Sequence, residues 1–422
     1  MIKKILTYSF GEVLVKGLSF LAIPLYSSMI LPEEYGALGF LNALIVFLPF
    51  IFTLYYLYAY VRFSIDVADD SLISTYIFMG LFLNIFYLLF ALLLYFLVIE
   101  NFEILLKYYL LAILSSAVMY IFQIMQFYHR SKGFAKKYLQ YSIVYALSGL
   151  GLNFLLLYSF SDNVLAMLNS KLILSMIVSL SAYRVLKKYI SWKKFDKNLM
   201  YDILKYSVPL VPGAIALLLF SSSDKLILVK YISKEELGIY TLAATMGLGM
   251  GYIGRAFFMG YQPLFYEKIA DNKYAEIQEQ FSKNVLMLLV AMIAILVVVY
   301  VGYKLIDDKY VEGMPIAISI ALTYTLVTFS QLMELHLSYM KKSSYISYIY
   351  GFGGVVTVFT LLQVIPDFGT RGAVVVLFFT ALMTSFLMYY MAQKVLYVRY
   401  NRLYLLLFYS TVVSLWYLFL IH

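Results

Sequence analysis

The side chains that could do chemistry in this sequence are a few ionisable groups set inside long apolar runs. Glu12 and Lys16 stand one helical turn apart, which brings them onto one face. Such a pair can meet an anionic headgroup or a coupling cation, or can cancel its own desolvation. Asp224 and Lys225 close the polar stretch Ser221, Ser222, Ser223, with Pro209 and Pro212 upstream. Being adjacent, they point roughly 100° apart on a helix and cannot serve one surface. Arg255 and Lys171 are the other buried cations. A guanidinium can grip phosphate oxygens through two parallel hydrogen bonds, so Arg255 is the stronger anion candidate. Glu334 is a further candidate acid, while Arg62 and Asp66, four residues apart, read as an interfacial pair. An ionisable group at the bilayer centre costs about 2.5 to 3.5 kcal/mol, so those retained there usually face the protein interior or a wet cavity.

Other chemistries find no support. There is no cysteine, and His129, His336 and His422 are scattered, so no metal site is expected. No GxxxxGK[ST] phosphate loop occurs, which argues against direct ATP hydrolysis. The residues could line a path for an ion or anion or could serve as structural pairs and snorkelling charges, no catalytic residues are expected, and the elements that position them must be membrane spans.

The composition agrees. Of 422 residues, 63% are hydrophobic and 13% charged, far from the quarter or so charged in soluble domains. Apolar runs of about 20 residues span a bilayer as helices. They fall near Leu6 to Met29, Ala37 to Val61, Ile73 to Val98, Leu105 to Tyr128, Leu139 to Phe160 and Val164 to Leu186. A second set runs near Ser207 to Val229, Leu237 to Tyr261, Val285 to Ile306, Met314 to Met340, Tyr345 to Ile365 and Gly372 to Val395. Leu403 to Ile421 is a thirteenth candidate. The amino terminus reads as a retained first span, since its apolar run exceeds a signal-peptide core and no small-residue cleavage site closes it.

With the amino terminus placed inside, 22 of the 32 lysines and arginines fall in cytoplasmic loops, as the positive-inside rule requires. This orientation explains the net charge of +9 better than a nucleic-acid partner does. The two longest loops, Lys187 to Lys205 and Pro263 to Lys283, are both cytoplasmic and each reads as a short interfacial helix.

The halves also echo each other. Leu31-Pro32-Glu33-Glu34-Tyr35-Gly36 returns as Ser233-Lys234-Glu235-Glu236-Leu237-Gly238, each after its half's first span. Parallel repeats of this kind build transporters around a central cavity. The expected fold is therefore an all-α polytopic membrane protein. Two six-helix bundles, 1–186 and 206–395, are related by a pseudo-two-fold axis along the membrane normal. A basic linker, 187–205, joins them, and 396–422 adds a further span. Gly247, Gly249, Gly251 and Gly254, like Gly351, Gly353 and Gly354, allow close helix approach. The 43 tyrosines and 33 phenylalanines suit interface belts and sugar stacking alike, so none is singled out.

Taken in order, these motifs resemble the polysaccharide-biosynthesis flippases of the multidrug/oligosaccharidyl-lipid/polysaccharide (MOP) exporter superfamily, the Wzx-type or O-antigen flippases. The resemblance rests on Gly11, Lys16, Gly17, Pro24 and Pro32 to Gly36. It continues through Pro209, Asp224, Lys225, Gly238, Ile239 and Tyr240, and ends at Gly369, Thr370, Arg371, Gly372 and Ala373. It implies a transporter rather than an enzyme, which flips an undecaprenyl-pyrophosphate-linked oligosaccharide from the cytoplasmic to the periplasmic leaflet by alternating access. Lys16, Lys225, Arg255 and Lys171 would attend the pyrophosphate. Glu12, Asp224 and Glu334 are candidates for proton or sodium coupling or for ion pairs, and no other cofactor is expected.

The implied location is the bacterial cytoplasmic (inner) membrane, multi-pass, with the amino terminus cytoplasmic. The implied partners are the lipid-linked oligosaccharide, membrane lipids and other polysaccharide assembly proteins, with no nucleic acid. Two alternatives stand beside this reading: an ion-coupled multidrug exporter of the same superfamily, and a membrane O-antigen polymerase. The polymerase would want a large external loop, and every loop on that side is short.

Overall fold

The structure is a computed structural model that describes Gly17 and residues 20–421. Among the described residues there is helix and no strand. Nine runs of described residues are long and apolar enough to cross a membrane, and the run Ser343–Val395 holds two of the expected spans. The expected first span lies mostly outside the described residues; its visible end is α1, Ile23–Met29.

Contacts group the chain into two compact units. One joins the chain up to Gly36 with Leu219 onward, and the other is Ala37–Leu218. Both cuts fall within helices, α2 (Pro32–Phe52) and α10 (Val211–Leu228).

Within Ala37–Leu218, α2 leads to α3 (Tyr56–Phe63), α4 (Asp69–Leu97), α5 (Leu106–Val118), α6 (Tyr120–Ser131), α7 (Ala135–Ser159), α8 (Asn163–Leu186) and α9 (Lys197–Ser207). The expected second span, Ala37 to Val61, is not one helix. It breaks after Phe52, where Leu54 and Tyr55 both take left-handed φ, of 51° and 58°. The Pro49 carbonyl accepts both the Thr53 amide at 2.8 Å and the Thr53 hydroxyl at 2.7 Å, at the last turn before the break. The core gathers Tyr56, Tyr60, Ile73, Tyr76, Ile124, Met125, Leu186 and Ile203.

The expected break near the prolines of the seventh span is present. α9 ends at Ser207, a 3₁₀ turn carries Pro209 through Val208–Leu210, and α10 begins at Val211. Proline supplies no amide to the ladder and crowds the preceding turn.

The other unit continues with α11 (Lys234–Gly247), α12 (Gly249–Ala270), α13 (Tyr274–Tyr303), α14 (Met314–Tyr339), α15 (Ser343–Val395) and α16 (Arg402–Ile421). α14 is the most enclosed of the candidate spans. α15 is two helices joined at Gly369, whose φ of 52° and ψ of −134° suit a residue with no side chain. α13 shows why the apolar runs exceed what a core needs: Met287, Val290, Ile293, Val297 and Val301 are exposed along it, as a lipid-facing stripe would be.

Glycines set the approach of α11 and α12 to α14. A methyl on Gly247 would meet the Ala317 carbonyl and Ile320, on Gly251 the Tyr324 ring, and on Gly254 the Thr328 side chain, all within 3 Å. Gly249 instead faces Ile295 and Phe20. The packing role read from the sequence thus falls on three of these four glycines.

Of the two loops read as interfacial helices, Lys187 to Lys205 does carry a short amphipathic helix, α9, after a 3₁₀ turn at Trp192–Lys194. Pro263 to Lys283 does not. Pro263 sits inside α12, only residues 271–273 separate α12 from α13, and Phe265, Ile269, Ile277 and Phe281 are buried in the core. Its amphipathic face is covered by protein.

Loops assigned to one side of the membrane meet one another. In the Ala37–Leu218 unit, Lys132 pairs with Asp69 at 2.8 Å and Lys194 with Asp70 at 3.0 Å, joining three loops of the basic side. At the opposite end, Lys107 pairs with Asp162 at 3.1 Å. In the other unit the Tyr310 hydroxyl donates to the Ile30 carbonyl at 3.0 Å, and the Asp307 amide donates to the Ser27 hydroxyl at 3.3 Å.

Candidate functional site

The two copies of the repeated motif explain each other structurally. At the start of α2 the Leu31 amide donates to the Glu34 carboxylate at 2.8 Å; at the start of α11 the Ser233 amide donates to the Glu236 carboxylate at 3.2 Å. Ser233 adds its hydroxyl as acceptor for the Glu236 amide, completing a capping box that Leu31 cannot form. Two residues beyond these glutamates, the glycines cross. A methyl on Gly36 would lie 2.1 Å from the Lys234 carbonyl oxygen, and one on Gly238 would lie 1.7 Å from the Pro32 carbonyl oxygen. The contact is reciprocal, as a two-fold relation between the copies requires.

From α11 the chain positions the most buried candidate acid. Asp224, on α10, is 3% exposed. Tyr240, two residues past the crossing glycine, donates its hydroxyl to one Asp224 oxygen at 2.5 Å. The other oxygen has no hydrogen-bond partner among the described residues. Tyr324 of α14 lies within electrostatic reach of the same carboxyl. A buried carboxylate so incompletely paired is costly, and a proton or a cation would relieve it. Lys225 beside it is half-buried, and as adjacent helical residues the two project about 100° apart.

Glu334 on α14 accepts a short hydrogen bond from the hydroxyl of Tyr350 on α15. Arg255 on α12 is exposed, one residue beyond the Gly254 contact with Thr328. These four candidates, Asp224, Lys225, Arg255 and Glu334, belong to one unit. Lys171 belongs to the other, where its ammonium donates to the Asn42 side-chain oxygen at 2.7 Å. Among the described residues no ion pair joins Asp224, Lys225 or Glu334 to another group. Glu12 and Lys16 lie outside the described residues. Arg62 pairs with Asp66, as the spacing suggests, and the Asp66 carboxylate raises the already high pKa of the guanidinium.

The sequence assigns neither Tyr240 nor Tyr350 a role as partner of these acids. Tyr240 stands in the motif that carries the resemblance, two residues past the repeated glycine, whereas nothing in the order of residues separates Tyr350 from the other tyrosines.

Comparison with known proteins gives two findings. A family model described as "Polysaccharide biosynthesis protein" matches residues 1–251. Solved structures share the fold, among them the following three. An inward-facing multidrug resistance MATE family transporter of the MOP superfamily has a TM-score of 0.74 at 11% identity, with 92% of this chain and 97% of that chain covered. An outward-facing one gives 0.62 at 12%, covering 93% and 95%. A MATE protein in complex with MaL6 gives 0.58 at 12%, covering 93% and 96%. A comparison with curated protein sequences returns no match.

Proposed function

Because this chain belongs to the polysaccharide biosynthesis protein family, we propose that it is a transporter that flips an undecaprenyl-pyrophosphate-linked oligosaccharide between leaflets by alternating access. The observation that carries this reading is the family match over more than half of the chain. It is joined to a fold of apolar spans shared with MOP-superfamily transporters. The amino terminus is cytoplasmic and transport runs from the cytoplasmic to the periplasmic face of a bacterial inner membrane, in line with the lysine and arginine count. Arg255 and Lys225, with Lys171 and Lys16, attend the pyrophosphate, whose charge suits guanidinium and ammonium groups. Asp224, held by Tyr240, is the leading candidate for a coupling proton or sodium ion, with Glu334 and Glu12 behind it. Other polysaccharide assembly proteins would receive the product.

A second reading, export of cationic drugs, draws on the MATE fold and on the buried, half-paired Asp224. The deciding experiment reconstitutes the protein in liposomes with a labelled undecaprenyl-pyrophosphate oligosaccharide and follows the sugar between leaflets. The proposal expects movement that Arg255→Ala and Lys16→Ala slow. Movement unaffected by both would keep the flippase and discard those two roles. No movement with several sugars, alongside extrusion of a cationic dye, would favour the drug exporter.

A further inference from the structure

A cavity of about 790 Å³ lies where α15 hands over to α16, away from Asp224 and Arg255 in the sequence, and its lining includes Arg399, Arg402, Tyr389, Tyr390, Tyr397 and Gln393. Its rim is built by an extended linker, residues 396–401. An extended chain turns successive side chains to opposite sides, and the linker follows this. Val398 and Tyr400 are buried, whereas Tyr397, Arg399 and Asn401 are exposed. The inward residues fix it in place. The Tyr400 ring stacks on Phe281 at 3.8 Å, its hydroxyl is hydrogen-bonded to His336 Nε2 at 2.7 Å, and the Val398 amide donates to the Gln393 side chain at 3.3 Å. Arg399 is thus presented from an anchored segment, and Arg402 from the first turn of α16.

The charges of this cavity are unbalanced. Three other cations of the same unit do have carboxylate partners: Lys268 with Glu276, Lys273 with Asp271, Lys283 with Glu279. No carboxylate lines this cavity, and among the described residues none pairs with Arg399 or Arg402. A second sign is independent of charge: among the described residues the Gln393 amide nitrogen, a buried donor, has no acceptor. Two guanidinium forks, tyrosine hydroxyls and an unpaired amide donor call for a compact, multiply charged acceptor.

We propose that this cavity binds a phosphate ester, with Arg399 and Arg402 gripping the phosphate and the tyrosines meeting the polar body attached to it. The volume leaves room for such a body beyond the phosphate. The site is independent of what the protein transports. A phospholipid headgroup and a soluble phosphate offer the same chemistry, and the test separates them.

The full-length protein, in nanodiscs of phosphatidylcholine, is offered phosphatidylglycerol and read by native mass spectrometry. In parallel it is titrated with inorganic phosphate by calorimetry. The wild type is expected to retain phosphatidylglycerol over phosphatidylcholine or to bind inorganic phosphate. Arg399→Gln with Arg402→Gln should weaken this about tenfold or more, and Arg399→Lys with Arg402→Lys less, since charge remains and the fork is lost. Lys187→Gln with Lys188→Gln, which removes equal charge elsewhere, should change nothing. Retention of lipid without phosphate binding identifies a lipid headgroup; phosphate binding that displaces the lipid identifies a soluble ligand. The proposal is overturned if the wild type binds neither probe, if the Arg→Gln pair binds like the wild type, or if the lysine control loses as much. Both arginines are exposed, so folding should survive, and the lysine-substituted pair reports on the site if it does not.

Discussion

Asp224 and Glu334 are each met by a tyrosine hydroxyl from a neighbouring helix, and at Asp224 this is the one hydrogen bond to the carboxyl among the described residues. Tyr240→Phe would leave both oxygens unpaired in a buried site, and we expect it to cost about 1 to 3 kcal/mol. In the Asp224→Asn background the same change should cost less, because a neutral amide is cheaper to leave unpaired. Thermal unfolding of the four proteins in detergent measures the coupling; equal losses in both backgrounds would mean that the carboxylate's charge adds nothing to the hydrogen bond. At this scale the sequence is informative about charge and nearly silent about partners. Asp224 stands out because a carboxylate in an apolar run is rare and expensive, whereas Tyr240 is one of 43 tyrosines and gains its role through helix packing.

The helices reveal their ends more readily than their surroundings. The Glu34 and Glu236 caps, the proline break before Val211 and the glycine join at Gly369 all follow from residue types with strong local preferences. The break at Leu54 and Tyr55 does not, since neither residue favours left-handed φ and Pro49 lies a turn upstream. Pro263 to Lys283 was misread for another reason: an amphipathic pattern tells that one face is apolar, not whether lipid or protein covers it. The missing half of the first capping box yields a prediction. Leu31 is exposed, so Leu31→Ser gives up little burial and supplies the hydroxyl that Ser233 already provides in the second copy. It should stabilise the protein by about 0.5 to 2 kcal/mol, read as a higher melting temperature; no gain would mean that the Glu34 carboxylate alone suffices.

Within each unit, the alternation of sides read from lysines and arginines agrees with which described loops touch. Lys132 and Lys194 reach Asp69 and Asp70, while Tyr310 reaches Ile30. This much is legible because every crossing reverses the side, so a miscounted span would place contacting loops apart. The absence of native cysteine makes a direct test simple. Single cysteines at Asn272 and Asn401 should react with an impermeant maleimide from one side of sealed vesicles, and those at Ser233 and Asp308 from the other. Labelling of Asn401 together with Ser233 would show that the last spans are miscounted.

The crossing of Gly36 and Gly238 carries a consequence for ancestry. Each copy of the motif leaves a gap that the backbone of the other fills, so neither copy describes a finished surface alone. That is the contact a half-length chain would make with a twin of itself, glycine to glycine across a true two-fold. Within the repeated motif other paired positions differ, as Leu31 and Ser233 do, whereas these two are both glycine. At this point the single chain still obeys the symmetry of a dimer.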